Sequence, residues 1–279
     1  MSVLPAPADT GIIFRRTDLG GACVRALAEN VSRTARSTTI SEGEASVVTV
    51  EHVLSALTGL GIDNAFIELD APEVPILDGS ALPYVRAFEQ AGIATLDSPR
   101  RYVTLDAPVT VSSERTGSVI KIEPSDHFEV SIDVDFDSKV LGHQQAGWGG
   151  DEDGYRTQVA PCRTFVFYHD IEPLVRQGLV KGGDIDNAII IMERPVPQED
   201  IDSLCALLGL PSYKVADNGY LDNLRLHFPD ECGRHKLLDI IGDLRLCGGF
   251  LKARVTATRP GHTINTTAAK AIRQAINIG

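Results

Sequence analysis

Apolar residues recur along this chain at spacings that change from segment to segment. Short runs rich in β-branched residues, Gly11 to Arg15 (GIIFR), Ser46 to Val50 and Ala65 to Leu69 (AFIEL), predict strands. Between the last two, Val53, Leu54, Ala56 and Leu57 fall at helical spacing and predict a helix over Glu51 to Leu60. Thr49 is its expected cap, and Gly59 and Gly61 are its stop signals. A second helix is expected after Ser80, with Pro83 in its first turn and Gly92 closing it.

A polar connection at Ser98 to Arg101 interrupts this alternation and marks the expected boundary between an N-terminal domain, 1–98, and a C-terminal domain, 102–279. Beyond it, strands are predicted at Tyr102 to Ser112, Ser118 to Glu123 and Phe128 to Phe136. The Gly-rich stretch Gly142 to Tyr155 predicts an exposed loop, since GWGGDEDG offers neither helix nor central-strand periodicity. A helix near Ile171 to Gly178, a strand at Ala188 to Glu193 and a long amphipathic helix from about Asp230 to Cys247 follow. A strand at Lys252 to Thr258 and a helix at Thr266 to Ile276 complete the chain. Sheets followed by helices in both halves point to an α+β fold of two similarly layered domains.

Composition narrows the function classes. The 26 Lys+Arg against 38 Asp+Glu give 26 − 38 = −12, a balance that repels phosphate backbones, so no nucleic-acid partner is expected. Apolar runs such as Ala188 to Met192 are far short of the roughly 20 residues a membrane helix needs. The start, MSVLPAPADTG, has neither a basic nor an apolar leader region, so a cytoplasmic location is expected. The five cysteines are odd in number and without a C-x-x-C pair, which argues against both a disulfide framework and a thiolate zinc site. Any metal would then be held by His and carboxylate.

The richest segment is Arg234-His-Lys-Leu-Leu-Asp-Ile-Ile-Gly-Asp-Leu, where His235, Asp239 and Asp243 fall at i, i+4 and i+8 on one helical face. Leu237, Leu238, Ile240, Ile241 and Leu244 place the opposite face in a core. On spacing alone, a hydrogen-bonded His–Asp pair is the commoner meaning of this pattern, and a metal pair the rarer one. Glu51-His52 opens the earlier helix, where the histidine can supply a third ligand and the glutamate a base; a charged first turn that complements the helix dipole is the plainer reading. Thr164, Lys236 and His262 are further polar candidates, with ordinary strand-end, surface-helix and turn readings beside them. Together these residues compose the set a metal-dependent amidase requires: two His and one Asp for a metal with an open position, a Glu base, and donors for the oxyanion and the leaving amine.

They also carry a resemblance. VEHVLSALTGLGIDNAFIELDAPEVPILDGSALPYV, CRTFVFYHDIE, GGDIDNAIII, DECGRHKLLDIIGDL and GHTIN closely resemble the UDP-3-O-acyl-N-acetylglucosamine deacetylase family of lipid A synthesis in Gram-negative bacteria. The resemblance runs from Pro5 to near the end of the chain. It implies that His52, His235 and Asp239 bind Zn2+, that Glu51 takes a proton from the attacking water, and that Thr164 steadies the oxyanion. It further implies that His262, oriented by Asp243, serves the departing nitrogen, and that Lys236 and Phe165 line the substrate site. The implied substrate is a UDP-linked acylated amino sugar, with its acyl chain in a passage around Asp186 to Pro197, and the implied protein is a monomer with its site between two β-α-α-β domains.

Three departures from the family pattern stand out. The family normally has a further strand and glycine-rich hairpin before PAPADTG, Ser118 falls where a lysine is usual, and Asn265-Thr266 replaces two asparagines. They leave two alternatives to the deacetylase: a related zinc amidase for another acylated sugar, and a non-catalytic paralogue.

Overall fold

A computed structural model describes residues 1–176, 187–207 and 211–276. The chain forms an α+β fold. In the first part β1 (Ser2–Pro5), β2 (Ile12–Arg16), β3 (Ala22–Arg25), β4 (Val31–Arg33), β5 (Thr39–Glu42) and β6 (Ala45–Val48) precede α1 (Glu51–Gly59), β7 (Ala65–Leu69) and α2 (Leu82–Ala91). One sheet has the order β1-β7-β2-β3 and a second the order β4-β5-β6. The strand β2, alternating buried Ile12, Phe14 and Arg16 with half-exposed neighbours, runs parallel to β7 in the middle of the first sheet.

The next part begins with β8 (Tyr102–Thr104), β9 (Val109–Ser113), β10 (Ser118–Pro124), β11 (Glu129–Asp135) and β12 (His143–Trp148), followed by the single turn α3 (Glu152–Gly154). It continues through β13 (Phe165–Phe167), α4 (Tyr168–Arg176), β14 (Ile189–Ile191) and α5 (Gln198–Leu207) to α6 (Glu231–Leu244), β15 (Phe250–Thr258) and α7 (His262–Ile276). A six-stranded sheet has the path β12-β11-β15-β10-β9, with β8 also paired to β15, and α6 and α7 pack on it.

One apolar core runs from Phe14, Val24 and Ile67 through Leu54 and Leu57 of α1 and Leu238 and Ile241 of α6 to Ile120, Ile122 and Val255 of the large sheet. Helices α1 and α6 meet at its centre. At the contact Gly242 lies against the Glu51 carbonyl so closely that any Cβ would overlap it. Every residue of α1 is buried, and α6 exposes little beyond Arg234 and Lys236, so the polar stripe of His235, Asp239 and Asp243 lies inside the molecule and not in bulk water. The β13–β14 pair divides two smaller clusters: Ile189 and Ile191 pack with Leu141 and Tyr220, while Ile190 packs with Ile201 and Leu204.

Several sequence expectations are corrected. The stretch from Gly142 is not wholly a loop: His143–Trp148 pairs with β11 as an edge strand, because an edge needs backbone pairing on one side only and Gln144 and Trp148 alternate inward. Thr49 does not cap α1. It sits at φ 62 and its hydroxyl donates to Glu73, while Ser80 does accept the Leu82 N–H ahead of α2. The predicted strand from Tyr102 is two strands, and the last helix begins at His262, four residues before Thr266. Strands β1, β3, β4 and β5 and helix α5 were not predicted, the strands being too short to show a period. Part of the expected helix after Ile171, and Asp186 at the start of the expected acyl passage, lie outside the described residues.

Ser118 is buried at the start of β10, where its hydroxyl donates to the Arg259 carbonyl at 2.7 Å. A lysine ammonium in the place of this hydroxyl would be buried in the sheet. Among the described residues no helix is long and apolar enough to cross a membrane.

Candidate active site

The α1–α6 contact carries the chemistry. His52, the second residue of α1, meets His235 edge to face with ring centres 5.0 Å apart, and Asp239 lies one turn further along α6. The Asp239 Oδ1 atom is 3.3 Å from His235 Nε2 and 3.8 Å from His52 Nε2. Ligands at 2.0–2.1 Å from a tetrahedral centre stand roughly 3.3 Å apart, so this spacing suits a shared metal. All three residues are buried, and among the described residues they are the one group of His, Cys, Asp and Glu placed to hold a metal.

Hydrogen bonding supports the same use. The His235 Nδ1–H donates to the Cys162 carbonyl at 3.0 Å, which leaves Nε2 as a lone pair facing Asp239. Asp239 Oδ2 accepts from Lys236 at 3.1 Å, but Oδ1 is buried with no hydrogen-bond partner. An orphaned carboxylate oxygen in a dry site costs free energy unless a cation satisfies it. Burial, with the His235 charge adding to it, pushes the His52 pKa down to about 3, and burial lowers that of His235, so both rings are neutral near pH 7. Burial would raise Asp239, yet the charges that His235, Lys236, His262 and His52 carry in the acid range where it titrates hold it well below the ordinary carboxylate range. Two neutral imidazoles and an ionised carboxylate are a donor set that suits zinc with one position left open.

Beside the triad are two groups suited to proton transfer. Glu51 Oε1 is 4.0 Å from His262 Nε2, and its other oxygen accepts the Thr38 N–H at 3.0 Å. Burial pushes Glu51 up to about 8, with the His262 charge opposing and Asp243 and Asp239 adding. His262 begins α7 and its Nδ1 lies 3.0 Å from Asp243 Oδ2. Burial works against its charge, but Asp243, Asp239 and Glu51 outweigh it and raise its pKa to about 9. His262 is therefore an imidazolium near pH 7, with Nε2 turned toward Glu51.

The segment Cys162-Arg163-Thr164 forms a strap across this region. The Thr164 N–H donates to Gly79 O at 2.8 Å and its carbonyl accepts the Ile189 N–H. Gly79 has φ 79 and abuts the Asn187 carbonyl, so neither a side chain nor the right-handed backbone fits there. Phe165 follows, its ring 6.3 Å from that of His235 and 5.3 Å from the Lys236 ammonium. All nine residues singled out from the sequence thus sit on or next to the α1–α6–α7 junction.

Sequence reasoning missed the partners that hold them. Thr38 bonds both Glu51 and Asp243, Asn265 Nδ2 donates to Asp243 Oδ2 at 2.9 Å, and Glu231 anchors the strap through Arg163 at 2.8 Å. Asn265 follows His262 in GHTIN and could have been found at one turn's spacing; Thr38 and Glu231 carry no local signal.

Comparison with known proteins agrees with this geometry. A family profile described as UDP-3-O-acyl N-acetylglycosamine deacetylase (LpxC) matches residues 1–201 and 213–274. A bifunctional enzyme LpxC/FabZ from Porphyromonas gingivalis is 42% identical over 98% of this chain, and the chain spans 59% of that relative's length. UDP-3-O-acyl-N-acetylglucosamine deacetylases from Citrifermentans bemidjiense and Anaeromyxobacter sp. are 38% and 40% identical over 95% of this chain, which covers 79% and 78% of them. With that match and a buried His-His-Asp triad flanked by Glu51 and His262, this chain belongs to the UDP-3-O-acyl N-acetylglycosamine deacetylase family.

Proposed function

We propose that this protein is a zinc-dependent amide hydrolase that removes the N-acetyl group of UDP-3-O-(3-hydroxyacyl)-N-acetylglucosamine in the cytoplasm. The products are acetate and a free amine, and the reaction is the committed step of lipid A biosynthesis in a Gram-negative bacterium. The observation that carries this reading is the orphaned Asp239 Oδ1 facing His52 and His235 at 3.8 and 3.3 Å, with a base and an imidazolium alongside.

His52, His235 and Asp239 would hold the zinc, which supplies Lewis-acid polarisation of the acetamide carbonyl and acidifies a water. Glu51 takes the proton of the attacking water; the charge of a zinc ion held by the triad would offset the burial that otherwise keeps this carboxyl protonated near pH 7. The Thr164 hydroxyl, on the strap beside His235, donates to the oxyanion, a type of contact worth roughly 3 to 4 kcal/mol. His262, held by Asp243, gives its Nε2 proton to the leaving nitrogen as the C–N bond breaks. Lys236 and Phe165 line the sugar side of the site, with the ammonium steadied by Asp239.

The test is release of free amine from UDP-3-O-(3-hydroxyacyl)-N-acetylglucosamine by the zinc-loaded 279-residue chain, with Glu51→Ala as control. Turnover in the wild type that disappears in a zinc-retaining variant supports both reaction and base. A folded, zinc-bound wild type without turnover overturns the substrate assignment, and acetylated sugars lacking UDP are then the next class.

A further inference from the structure

Thr38 stands just before β5 and is fully enclosed. It makes three contacts at the active site. Its N–H donates to Glu51 Oε2 at 3.0 Å, its hydroxyl donates to Asp243 Oδ1 at 2.6 Å, and its carbonyl accepts the Val50 N–H at 3.3 Å. The hydroxyl bond spans 205 positions of sequence, so it is a bond between distant segments and not a local turn.

The surroundings explain what such a residue does. Asp243 Oδ2 is already shared by His262 Nδ1 and Asn265 Nδ2, which leaves Oδ1 as the atom that fixes how the carboxylate is turned about its Cβ–Cγ bond. Glu51 Oε1 faces His262, which leaves Oε2 as the atom that fixes its own rotamer. A lysine or arginine between these carboxylates would satisfy the same two oxygens, but its charge would compete with His262 for Asp243. A threonine offers one donor to each carboxylate and adds no charge.

We propose that Thr38 is a positioning residue that locks Glu51 and the Asp243–His262 pair to one another, setting the separation of the two groups that transfer protons. This rests on the deacetylase reading above. Thr38 touches neither the triad nor the amide, so its effect is on the chemical step and not on metal or substrate affinity.

Thr38→Val keeps shape and removes only the hydroxyl. Loss of a hydrogen bond to a charged partner at this place lowers kcat by about 10- to 100-fold, with KM within about twofold and zinc content unchanged. Thr38→Ser restores the donor and brings kcat back to within about threefold of the wild type. In the Asp243→Ala background, Thr38→Val costs nothing further, because the hydroxyl acts through Asp243. Should Thr38→Val not fold, Thr38→Ala replaces it in the same cycle.

Wild-type kcat in Thr38→Val, no recovery in Thr38→Ser, or losses that multiply with Asp243→Ala overturn the proposal. Urea unfolding of the same four proteins without metal separates this from failure of the parent reading. If the wild type releases no amine, sub-additive destabilisation in the Thr38→Val and Asp243→Ala cycle still supports the link between the two residues, whereas additive destabilisation overturns it.

Discussion

Helix α6 carries three buried carboxylates, and two of them, Glu231 and Asp239, are treated in opposite ways. Glu231, in the first turn and 0% exposed, accepts from the Arg163 N–H, from its guanidinium at 2.8 and 3.2 Å, and from the His227 N–H at 2.7 Å. Asp239, two turns on and 1% exposed, has Lys236 on one oxygen and nothing on the other. Burial alone raises both carboxyls, and in both the surrounding charges and donors bring them below their ordinary range. The difference lies in whether protein atoms fill the coordination of every oxygen. Where they do, as at Glu231, the carboxylate holds the Cys162–Thr164 strap to the helix. Where one oxygen is left over, next to two neutral imidazoles, the carboxylate is free to ligate a cation.

This contrast can be broken by substitution. His235→Ala and Asp239→Ala remove a triad member, and we expect metal content to fall below stoichiometric and turnover to drop by about 10^4-fold or more. Elemental analysis of the purified variants reads the metal, and full occupancy with near-normal turnover would mean that Asp239 is only another structural acid.

Stability reads the other arm. Removing Glu231 strands the Arg163 guanidinium partly buried, so Glu231→Ala should cost about 3–5 kcal/mol in urea unfolding of the metal-free protein. Asp239→Asn in the same metal-free protein should cost less, about 1–2 kcal/mol, since it gives up one charged hydrogen bond, from Lys236, while its other oxygen has no partner to lose. Equal losses for the two would erase the distinction.

An effect smaller than that of Glu231→Ala comes with pH. The His262 pKa rises on folding from 6.5 to about 9, so its contribution is complete below pH 6.5 and is lost as pH rises through 9. The Glu51 pKa rises from 4.5 to about 8, so its contribution also falls with rising pH, from 4.5 to 8. Both act in the same direction between pH 7 and 8, and His262 alone from there to about pH 9, so the metal-free protein should lose about 2–4 kcal/mol of stability across this range. Asp243→Asn should flatten that limb in thermal unfolding, because Asp243 is the largest influence raising His262. A limb unchanged by the substitution would show that other groups carry it.

Part of this site was legible because helices write their faces into sequence. His235, Asp239 and Asp243 share a side of α6 by spacing alone, and Glu51-His52 marks the start of α1 after a strand. The edge strand β12 was hidden because its glycines read as loop, and its inward Gln144 works through a bond to the Gly233 N–H on α6, a partner 89 residues away. Ser118 stands in the sequence only as a departure from the family pattern, and its packing at the start of β10 is visible only in the structure.

Local periodicity by itself determined the two helices, their polar stripes and the residue types able to bind a metal, since helical spacing depends only on neighbours within a few positions. Tertiary structure alone decided that His52 meets His235 across 183 positions, that Gly242 lets α1 approach α6, and that Thr38 bridges Glu51 and Asp243. It also decided which buried oxygens have partners. Satisfaction of a polar atom is a property of everything packed around it, and in this molecule the decisive partners of Glu51, His235 and Asp243 lie 13, 73 and 205 positions away along the chain.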